Sequence, residues 1–445
     1  MPEADDMIPH PEKPAPAAPP ASEGVANGPV SALLMALVIA FTAIMANRFF
    51  WIMRFVEPVL LGSSTIRLRL LHLVPVVLGI AALTLVPAVF VAMRKRSWWW
   101  VPWAVLAFDC VSLGVAAART GHAGVVFHFA LPELASAGAL ATGIAFAYHD
   151  RRVVDWAALL AVWAQAIMGA FQMMQRQGID TAPGRFIAEW DLEMAKVFKA
   201  QFAMGRAEGF DVNPNSYSFL GVVVLTWALF GMKNGPMRWA GVTGSLIVIA
   251  LGQSRTAALV VIALLAFAVF DALRRNSKGA VLRWVIVGAA GLLVVGALTY
   301  VTIGPRAMQS LTSRFTTGAA TVTQGTGADK NLDARTQVWG RAWEVFLEKP
   351  LGAWEAPGRV LGGAPDNDFI HRLVLAGPLG VFAAVALLLW LWFCVRPPAA
   401  PSFGPAFAIA LGLSSMTAVA TQALAFLIMG WFVVGAAVGL AEVDG

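Results

Sequence analysis

The stretch that decides the fold class is RWAGVTGSLIVIALGQSRTAALVVIALLAFAVFDAL, at residues 238–273. It contains two apolar runs, 238–253 and 256–273, with almost no loop between them. Each run approaches the length of roughly 20 residues that a helix needs to cross the hydrocarbon core of a bilayer. Similar runs recur along the 445-residue chain. They predict an all-α polytopic membrane protein.

Composition supports the same fold class. Hydrophobic residues make up 58% of the chain, charged residues only 13%, and the mean hydropathy is +0.70. A soluble protein of this length would need more charge to cover its surface. About 12 transmembrane helices are predicted; we place them at 29–47, 70–92, 97–117, 123–147, 153–174, 215–232, 238–253, 256–273, 281–303, 369–395, 402–420 and 423–440.

The basic residues predict an orientation. Short loops between the spans carry clusters of lysine and arginine, which favour the cytoplasmic side; these lie at 93–96, 149–152, 233–238, 274–278 and Arg396. Residues 1–28 are rich in proline and alanine and are predicted to form a disordered cytoplasmic tail before a helical bundle at 29–445. The net charge of +6 therefore points to the lipid bilayer rather than to nucleic acid.

Two long loops, 175–214 and 304–368, fall on the opposite, periplasmic side of this topology. Their arginines run against the usual bias; they are Arg176, Arg185, Arg206, Arg306, Arg314, Arg335, Arg341 and Arg359. Long loops are partly exempt from that bias, which is one interpretation. The other is that the loops handle an anionic substrate, because guanidinium groups match phosphate oxygens.

Two short motifs stand at span boundaries. Asn213-Pro214-Asn215 precedes a span, where Asn213 can cap the helix or contribute to a site. Ser254-Arg255 separates the two apolar runs of 238–273. An arginine at that depth is costly unless it is paired or faces a water-filled cavity, so Arg255 either reaches the interface, pairs with a carboxylate, or binds a phosphate.

The second long loop is predicted to contain an amphipathic helix. Asp333 can cap a helix that runs to about Glu348. In it Trp339, Trp343 and Phe346 form one apolar stripe, with Arg335 on the same side. We expect this helix to lie on the outer membrane surface; packing against the membrane domain explains the tryptophans equally well, but not the arginine.

The segment Ala364-Pro-Asp-Asn-Asp-Phe-Ile-His-Arg372 opens a later span. Asp366 is predicted at the N-cap, and Asn367 and His371 are expected to share a helix face. A carboxylate or imidazole here can accept a proton from a sugar hydroxyl; a capped helix with an Asp368–Arg372 ion pair is the alternative. The Asp-Asn-Asp triplet offers too few oxygens for a hard cation, so no metal and no other cofactor is expected.

Taken in order, these motifs resemble the O-antigen ligases and the Wzy-type polysaccharide polymerases. They are Asn213-Pro214-Asn215, Ser254-Arg255, Arg335 with Trp339 and the turn Pro350-Leu351-Gly352, and Asn367 leading to Gly377-Pro378-Leu379-Gly380. The resemblance covers residues 205–385. The ligases carry a histidine before the asparagine that opens this span, whereas this chain has Asp366.

The resemblance implies an enzyme of the bacterial inner membrane whose active site faces the periplasm. Its donor would be an oligosaccharide on undecaprenyl diphosphate, and other polysaccharide assembly proteins are possible partners. Arg255, Arg335 and Arg206 would bind the diphosphate, and Asp366, His371 and Asn367 would orient or deprotonate the acceptor. The energy lies in the diphosphate bond, and the sequence contains no Gly-x-x-x-x-Gly-Lys-Ser/Thr nucleotide motif.

Asp366 favours a polymerase of O-antigen, capsule or exopolysaccharide over an O-antigen ligase that uses a lipid A–core acceptor. A transporter or flippase for lipid-linked sugars is the alternative from another class. The transporter hypothesis predicts ionisable residues deep inside several spans. A structural member of an export complex also remains open.

Overall fold

A computed structural model of the chain describes most of the predicted spans. The described residues are 29–56, 98–119, 123–185, 206–210, 213–275, 330–363, 365–417 and 424–443, with 279, 281–282, 286, 288 and 316. Every long regular element among them is an α-helix, and none of them lies in a strand. The all-α prediction is therefore confirmed.

Most helices begin and end within four residues of the predicted boundaries, but the first continues to Val56, nine residues beyond its predicted end at 47. They are α1 Pro29–Val56, α2 Val101–Arg119, α3 Ala123–His149, α4 Arg151–Arg176, α5 Pro214–Phe230, α6 Pro236–Gly252, α7 Arg255–Arg274, α8 Lys330–Glu348, α9 Pro357–Leu361, α10 Asp368–Cys394, α11 Phe403–Thr417 and α12 Leu424–Val443. Predicted spans 70–92 and, almost entirely, 281–303 lie outside the described residues, as does the tail at 1–28.

Three of the described helices are long and apolar enough to cross a membrane: α4, α7 and α10. The other core helices are apolar over shorter stretches of 10–17 residues. Large apolar side chains are exposed along the outside of the bundle, including Ile262 and Phe270 of α7 and Phe382 and Phe393 of α10. In water such a surface would be unfavourable, whereas lipid covers it without cost. The chain is a helical membrane protein.

One end of the bundle contains Arg151 and Arg275, from two of the loops that the sequence assigned to the cytoplasm. The Arg151 guanidinium donates to the Gly231 carbonyl, which ties the start of α4 to the end of α5. At the same end Arg275 donates to the Ser402 hydroxyl at 2.8 Å, joining the end of α7 to the start of α11. The Trp227 and Phe403 rings pack edge to face between these two contacts.

The opposite end collects the candidate motifs. The Asn367 amide, at the start of α10, donates to the carbonyl of Met416 near the end of α11 at 2.8 Å. Because the end of α7 meets the start of α11, α7 and α11 are antiparallel. The N-termini of α7 and α10 therefore lie at the same end of the bundle. Arg255 and Asn367 are thus brought to one face.

Helices α3 and α12 pack as a close parallel pair. The glycines Gly435 and Gly439 of α12 lie against the backbone of Leu140 and Ile144 in α3, where a Cβ atom would collide. Small residues spaced in this way let two helix backbones approach closely inside a membrane. This contact attaches the last helix firmly to the core of the bundle.

Candidate functional site

Arg206 joins two of the motifs. Its Nε donates to the Gly252 carbonyl at 2.8 Å, and its Nη2 donates to the Asn215 side-chain oxygen at 2.8 Å. The backbone N–H of Ala207 donates to the Leu251 carbonyl at 3.0 Å. The turn before α5 and the junction between α6 and α7 therefore meet at Arg206, although they are far apart in the sequence.

Two buried glutamines of α4 hold the segment that carries Arg206. The Gln172 side-chain oxygen accepts the N–H groups of Glu208 at 2.7 Å and Gly209 at 3.1 Å. The Gln165 oxygen accepts the Phe210 N–H at 2.8 Å. Buried amides that satisfy loop N–H groups fix the loop in one position. These glutamines were not among the predicted site residues. Their position inside the predicted span 153–174 was a signal that they have polar partners.

Arg255 is the first residue of α7 and is partly buried. Gln253 ends α6 in the left-handed conformation, with φ at +48°. Ser254 then caps α7, because its hydroxyl oxygen accepts the Ala257 N–H at 3.4 Å. The predicted break between the two apolar runs is confirmed. It places Arg255 in the first turn of α7, at a helix N-terminus, where the helix dipole favours an anion.

Arg335 of α8 and Asp366 form an ion pair just before α10. Arg335 Nε and Asp366 Oδ2 are 3.2 Å apart, and the two side chains are 22% and 45% exposed. Trp339, one turn further along α8, donates its indole N–H to the Pro365 carbonyl at 2.7 Å. These two contacts fix α8 to the segment that opens α10, with a partly exposed carboxylate between them.

The predicted N-cap at Asp366 is wrong, because the cap is Asn367. Its side-chain oxygen accepts the Ile370 N–H at 3.0 Å, and its amide reaches Met416 instead of His371. Asp366 precedes the cap in the left-handed conformation, with φ at +46°. This conformation turns the carboxylate away from the helix and towards Arg335. The start of α8 also differs, since the helix begins at Lys330 and Asp333 lies in its first turn.

The face that α8 buries against the protein does not include Trp343 of the predicted apolar stripe. Ala342 is buried, with Val338 and Val345 beside it, against Val374 of α10. Trp343 is 56% exposed and Leu347 is 64% exposed. An outward-facing apolar stripe next to polar residues is the pattern of a helix at a membrane interface. The alternative that the tryptophans simply pack against the membrane domain is therefore wrong for Trp343.

A buried ionic cluster lies one turn below the start of α10. Arg372 forms two hydrogen bonds with Asp109 of α2, at 2.5 and 2.8 Å, and its Nε is 3.5 Å from Asp368. Glu133 of α3 and His371 are buried beside them. The Asp368–Arg372 pair proposed from the sequence exists, but the principal partner of Arg372 is Asp109. The cluster connects α2, α3 and α10.

Helix α10 is broken at Ala376 and Gly377, just before Pro378. Pro378 has no N–H to donate to the Val374 carbonyl. The Ala353 N–H donates to that carbonyl at 2.8 Å, and the Trp354 N–H donates to the Leu375 carbonyl at 2.9 Å. The two residues that follow the turn at 350–352 therefore complete the hydrogen bonding of the broken helix. This contact brings together the Pro350-Leu351-Gly352 turn and the Gly377-Pro378 break, which follow one another in the sequence as separate motifs.

Residues 240–383 match the family model Wzy_C, described as O-antigen ligase. This segment is similar to the O-antigen ligase family. Searches of the curated proteins and of the solved structures returned no match.

The matched segment, residues 240–383, contains most, but not all, of the candidate residues. Arg255, Arg335, Asp366 and the α10 residues Asn367 and His371 lie inside 240–383. Arg206, which contacts the domain through Gly252, lies outside it; so do Asp109 and Glu133 of the buried cluster. The candidate site is therefore assembled from the matched segment together with residues of the first half of the chain.

Sequence reasoning missed Asp109 and Glu133 as members of a cluster. Both lie inside predicted spans, at 97–117 and 123–147. An ionisable residue within a span is rare and marks a paired or functional position, so the signal was present. Within the described residues, no group of three or more His, Cys, Asp or Glu side chains is arranged to hold a metal ion.

Proposed function

We propose that the protein is a membrane glycosyltransferase that joins glycan units carried on undecaprenyl diphosphate. The observation that carries the proposal is the Arg335–Asp366 pair, which lies within the segment that matches the O-antigen ligase model and at the same end of the bundle as Arg255. A cation for the leaving group and a base for the acceptor are the two groups that this reaction needs. We place this end at the periplasmic face of the inner membrane.

Arg255 and Arg335 would stabilise the diphosphate leaving group. Arg335 donates through its Nε to Asp366, and once that contact is released its planar guanidinium can bind phosphate oxygens in a fork. Negative charge develops on the diphosphate as the bond to the sugar breaks, so prepositioned cations lower the barrier. Arg206 already donates to Gly252 and Asn215, and we assign it to holding the site together.

Asp366 would accept the proton of the attacking hydroxyl. Its carboxylate is 45% exposed, whereas His371 is buried one turn inside α10. The acceptor oxygen forms a bond to the anomeric carbon as the carbon–oxygen bond to the diphosphate breaks, with inversion. In such a displacement base and leaving group lie on opposite sides of the carbon. Arg335 therefore exchanges its contact with Asp366 for the diphosphate when the donor binds.

Polymerase and ligase activities each have one observation in their favour. Asp366, where the ligases carry histidine, favours a polymerase of O-antigen, capsule or exopolysaccharide. The description of the matching family model, O-antigen ligase, favours transfer to lipid A–core. We propose the polymerase first, with other polysaccharide assembly proteins as partners.

The experiment uses purified protein in liposomes with a labelled undecaprenyl-diphosphate-linked repeat unit from the host. Products are separated on a gel, with and without a lipid A–core acceptor. A ladder without that acceptor establishes a polymerase, and a product only with it establishes a ligase. Adding a chelator to the same reaction should leave the rate unchanged. Inhibition by the chelator would indicate instead that the triplet Asp366-Asn367-Asp368 binds a metal ion.

A transporter of lipid-linked sugars is the second candidate, favoured by the buried cluster of Asp109, Glu133, Asp368 and Arg372. Ionisable groups within the bundle are typical of transport pathways. The same liposomes test this function. Movement of the labelled donor from one leaflet to the other without any new glycosidic bond would replace the glycosyltransferase proposal.

A further inference from the structure

Three polar residues lie on one face of α4, in the second half of that helix. Gln165, Gln172 and Arg176 are separated by seven and four residues, which places their side chains on the same side. Both glutamines are buried within the predicted span 153–174. An amide in such surroundings is costly unless it is hydrogen-bonded, so its partners indicate why it is there.

The partners belong to segment 206–210, which lies along this polar face of α4 in antiparallel order. Each contact is made to a backbone group of the segment: Arg176 donates to the Arg206 carbonyl, Gln172 accepts the N–H groups of Glu208 and Gly209, and Gln165 accepts that of Phe210. The segment cannot move along α4 or away from it without breaking several of these hydrogen bonds.

Two glycines make the contact close. Gly209 has φ +55°, and a Cβ there would stand 2.1 Å from the Gln165 side-chain oxygen. Gly169, between the two glutamines, leaves room for Tyr217 of α5, since a Cβ at Gly169 would stand 2.2 Å from the Tyr217 hydroxyl oxygen. That hydroxyl donates to the Gln165 carbonyl at 3.1 Å. The segment and α5 therefore lie directly on α4.

Gln165 contributes poorly to stability alone. Within the described part of the chain, its Nε2 amino group is buried without a hydrogen-bond partner, which is unfavourable. An apolar side chain at this position would avoid that cost. The oxygen that holds Phe210 accounts for the amide, whereas packing does not.

The held segment leads to Arg255 through Arg206. The Arg206 guanidinium donates to the carbonyl of Gly252, the last residue of α6, and the Ala207 N–H donates to the Leu251 carbonyl. Arg255 follows three residues later, at the start of α7. A shift of the segment would therefore move the junction from which Arg255 projects. Misplacing a group that acts in the transition state by about 1 Å can lower the rate roughly 100-fold.

We propose that Gln165, Gln172 and Arg176 are positioning residues for glycan transfer. Through segment 206–210 and Arg206, they fix the junction that presents Arg255 to the diphosphate. The assignment rests on the proposed function and extends the site to α4, which lies outside the segment that matches the family model.

The first test removes one acceptor from the polar face. Gln172→Met nearly keeps the length of the side chain but cannot accept the two N–H groups. We expect kcat per folded molecule to fall by about 10- to 100-fold, with the KM for the lipid-linked donor changed less than about twofold, because Arg255 acts on charge that develops in the transition state. Gly209→Ala, which would push the segment off α4 from the other side, should have the same effect.

Val154→Ala is the matched control, because Val154 is buried near the other end of α4. It should lower the unfolding temperature and leave kcat per folded molecule unchanged. If Gln172→Met resembles this control in both measurements, the polar face has only a structural role and the proposal is overturned.

A double-variant cycle tests the route through Arg255. Added to Arg255→Ala, Gln172→Met should cause little further loss of kcat, because two residues that act through one group are not additive. The full loss in both backgrounds would show that α4 does not act through Arg255.

Hydrogen exchange in detergent gives a measurement that needs no catalysis. Compared with Val154→Ala, Gln172→Met should speed exchange both in segment 206–210 and at the junction 251–257. That result would support the link between α4 and the junction even if no glycan transfer were found. Faster exchange in segment 206–210 alone would overturn the link, whatever reaction the protein catalyses.

Discussion

Arg372 and Asp109, which are 263 residues apart in the chain, form a two-pronged ion pair inside the bundle. Their side chains are 7% and 9% exposed. Removing two charges from water is costly, and the pair offsets this cost only while both partners are present. The start of α10, which carries Asp366 and Asn367, is thereby attached to α2.

Removing one partner of this ion pair should destabilise the protein more than replacing both partners with apolar residues. Asp109→Leu or Arg372→Met alone leaves a buried charge without its principal partner, and we expect each to cost about 3–5 kcal/mol. The double variant should unfold at a higher temperature than either single variant. Thermal unfolding in detergent measures the three midpoints, and a double variant that loses the sum of both single effects would contradict this account.

Arg335→Ala should lower glycan transfer by roughly 100-fold or more, the usual effect of removing one donor to a developing anion. Arg335→Lys should recover little, because an ammonium group lacks the planar fork. Arg341→Ala is the matched control, since Arg341 lies on the same helix with an exposed side chain. Membrane insertion should be unchanged in all three; equal activity of Arg335→Ala and Arg341→Ala would remove Arg335 from the site.

Asp366→Asn and His371→Gln separate the two candidate bases. Loss of a general base typically lowers the rate by about 10²–10⁴-fold, and we expect that loss for Asp366→Asn. His371 is buried, so His371→Gln should lower the unfolding temperature more than the turnover of the folded fraction. Initial rates per folded molecule make the comparison. The reverse order would transfer the role of base to His371.

The break in α10 gives a prediction about glycine. Gly377 has φ +62° and ψ −150°, which only glycine adopts readily, and a Cβ would stand 2.7 Å from the Pro350 carbonyl oxygen. Gly377→Ala should therefore cost about 3 kcal/mol. Gly412→Ala is the control, because its Cβ would meet Leu388 at an ordinary 3.6 Å, and alanine favours a helix. Unfolding midpoints should fall for Gly377→Ala and hold or rise for Gly412→Ala.

Local features of the fold could be predicted from the sequence because local chemistry determines them. Asn213 accepts the Asn215 N–H at 2.8 Å, and Pro214 occupies the first turn of α5; both follow from the preferences of helix N-termini. The break at Gln253 and Ser254 was visible as two polar residues between apolar runs.

Partnerships between distant helices could not be predicted in the same way. The choice of Asn367 over Asp366 as cap depends on the Arg335 guanidinium that attracts the neighbouring carboxylate. The buried face of α8 is set by contact with Leu361 and Val374 rather than by the largest side chains. Neither relationship leaves a periodic signal in the sequence, since each partner comes from a different part of the chain.

The hydrogen bonds that Ala353 and Trp354 donate to the broken part of α10 limit how α8 can move. If Ala353 and Trp354 moved away from α10, the carbonyls of Val374 and Leu375 would lose these donors in apolar surroundings. The free-energy cost would be about 1–3 kcal/mol for each carbonyl. Motion of α8 that keeps both hydrogen bonds costs none of this. These two hydrogen bonds therefore keep the C-terminal end of α8 fixed to α10, and they leave its N-terminal end, which carries Arg335, as the end that can move at lower cost.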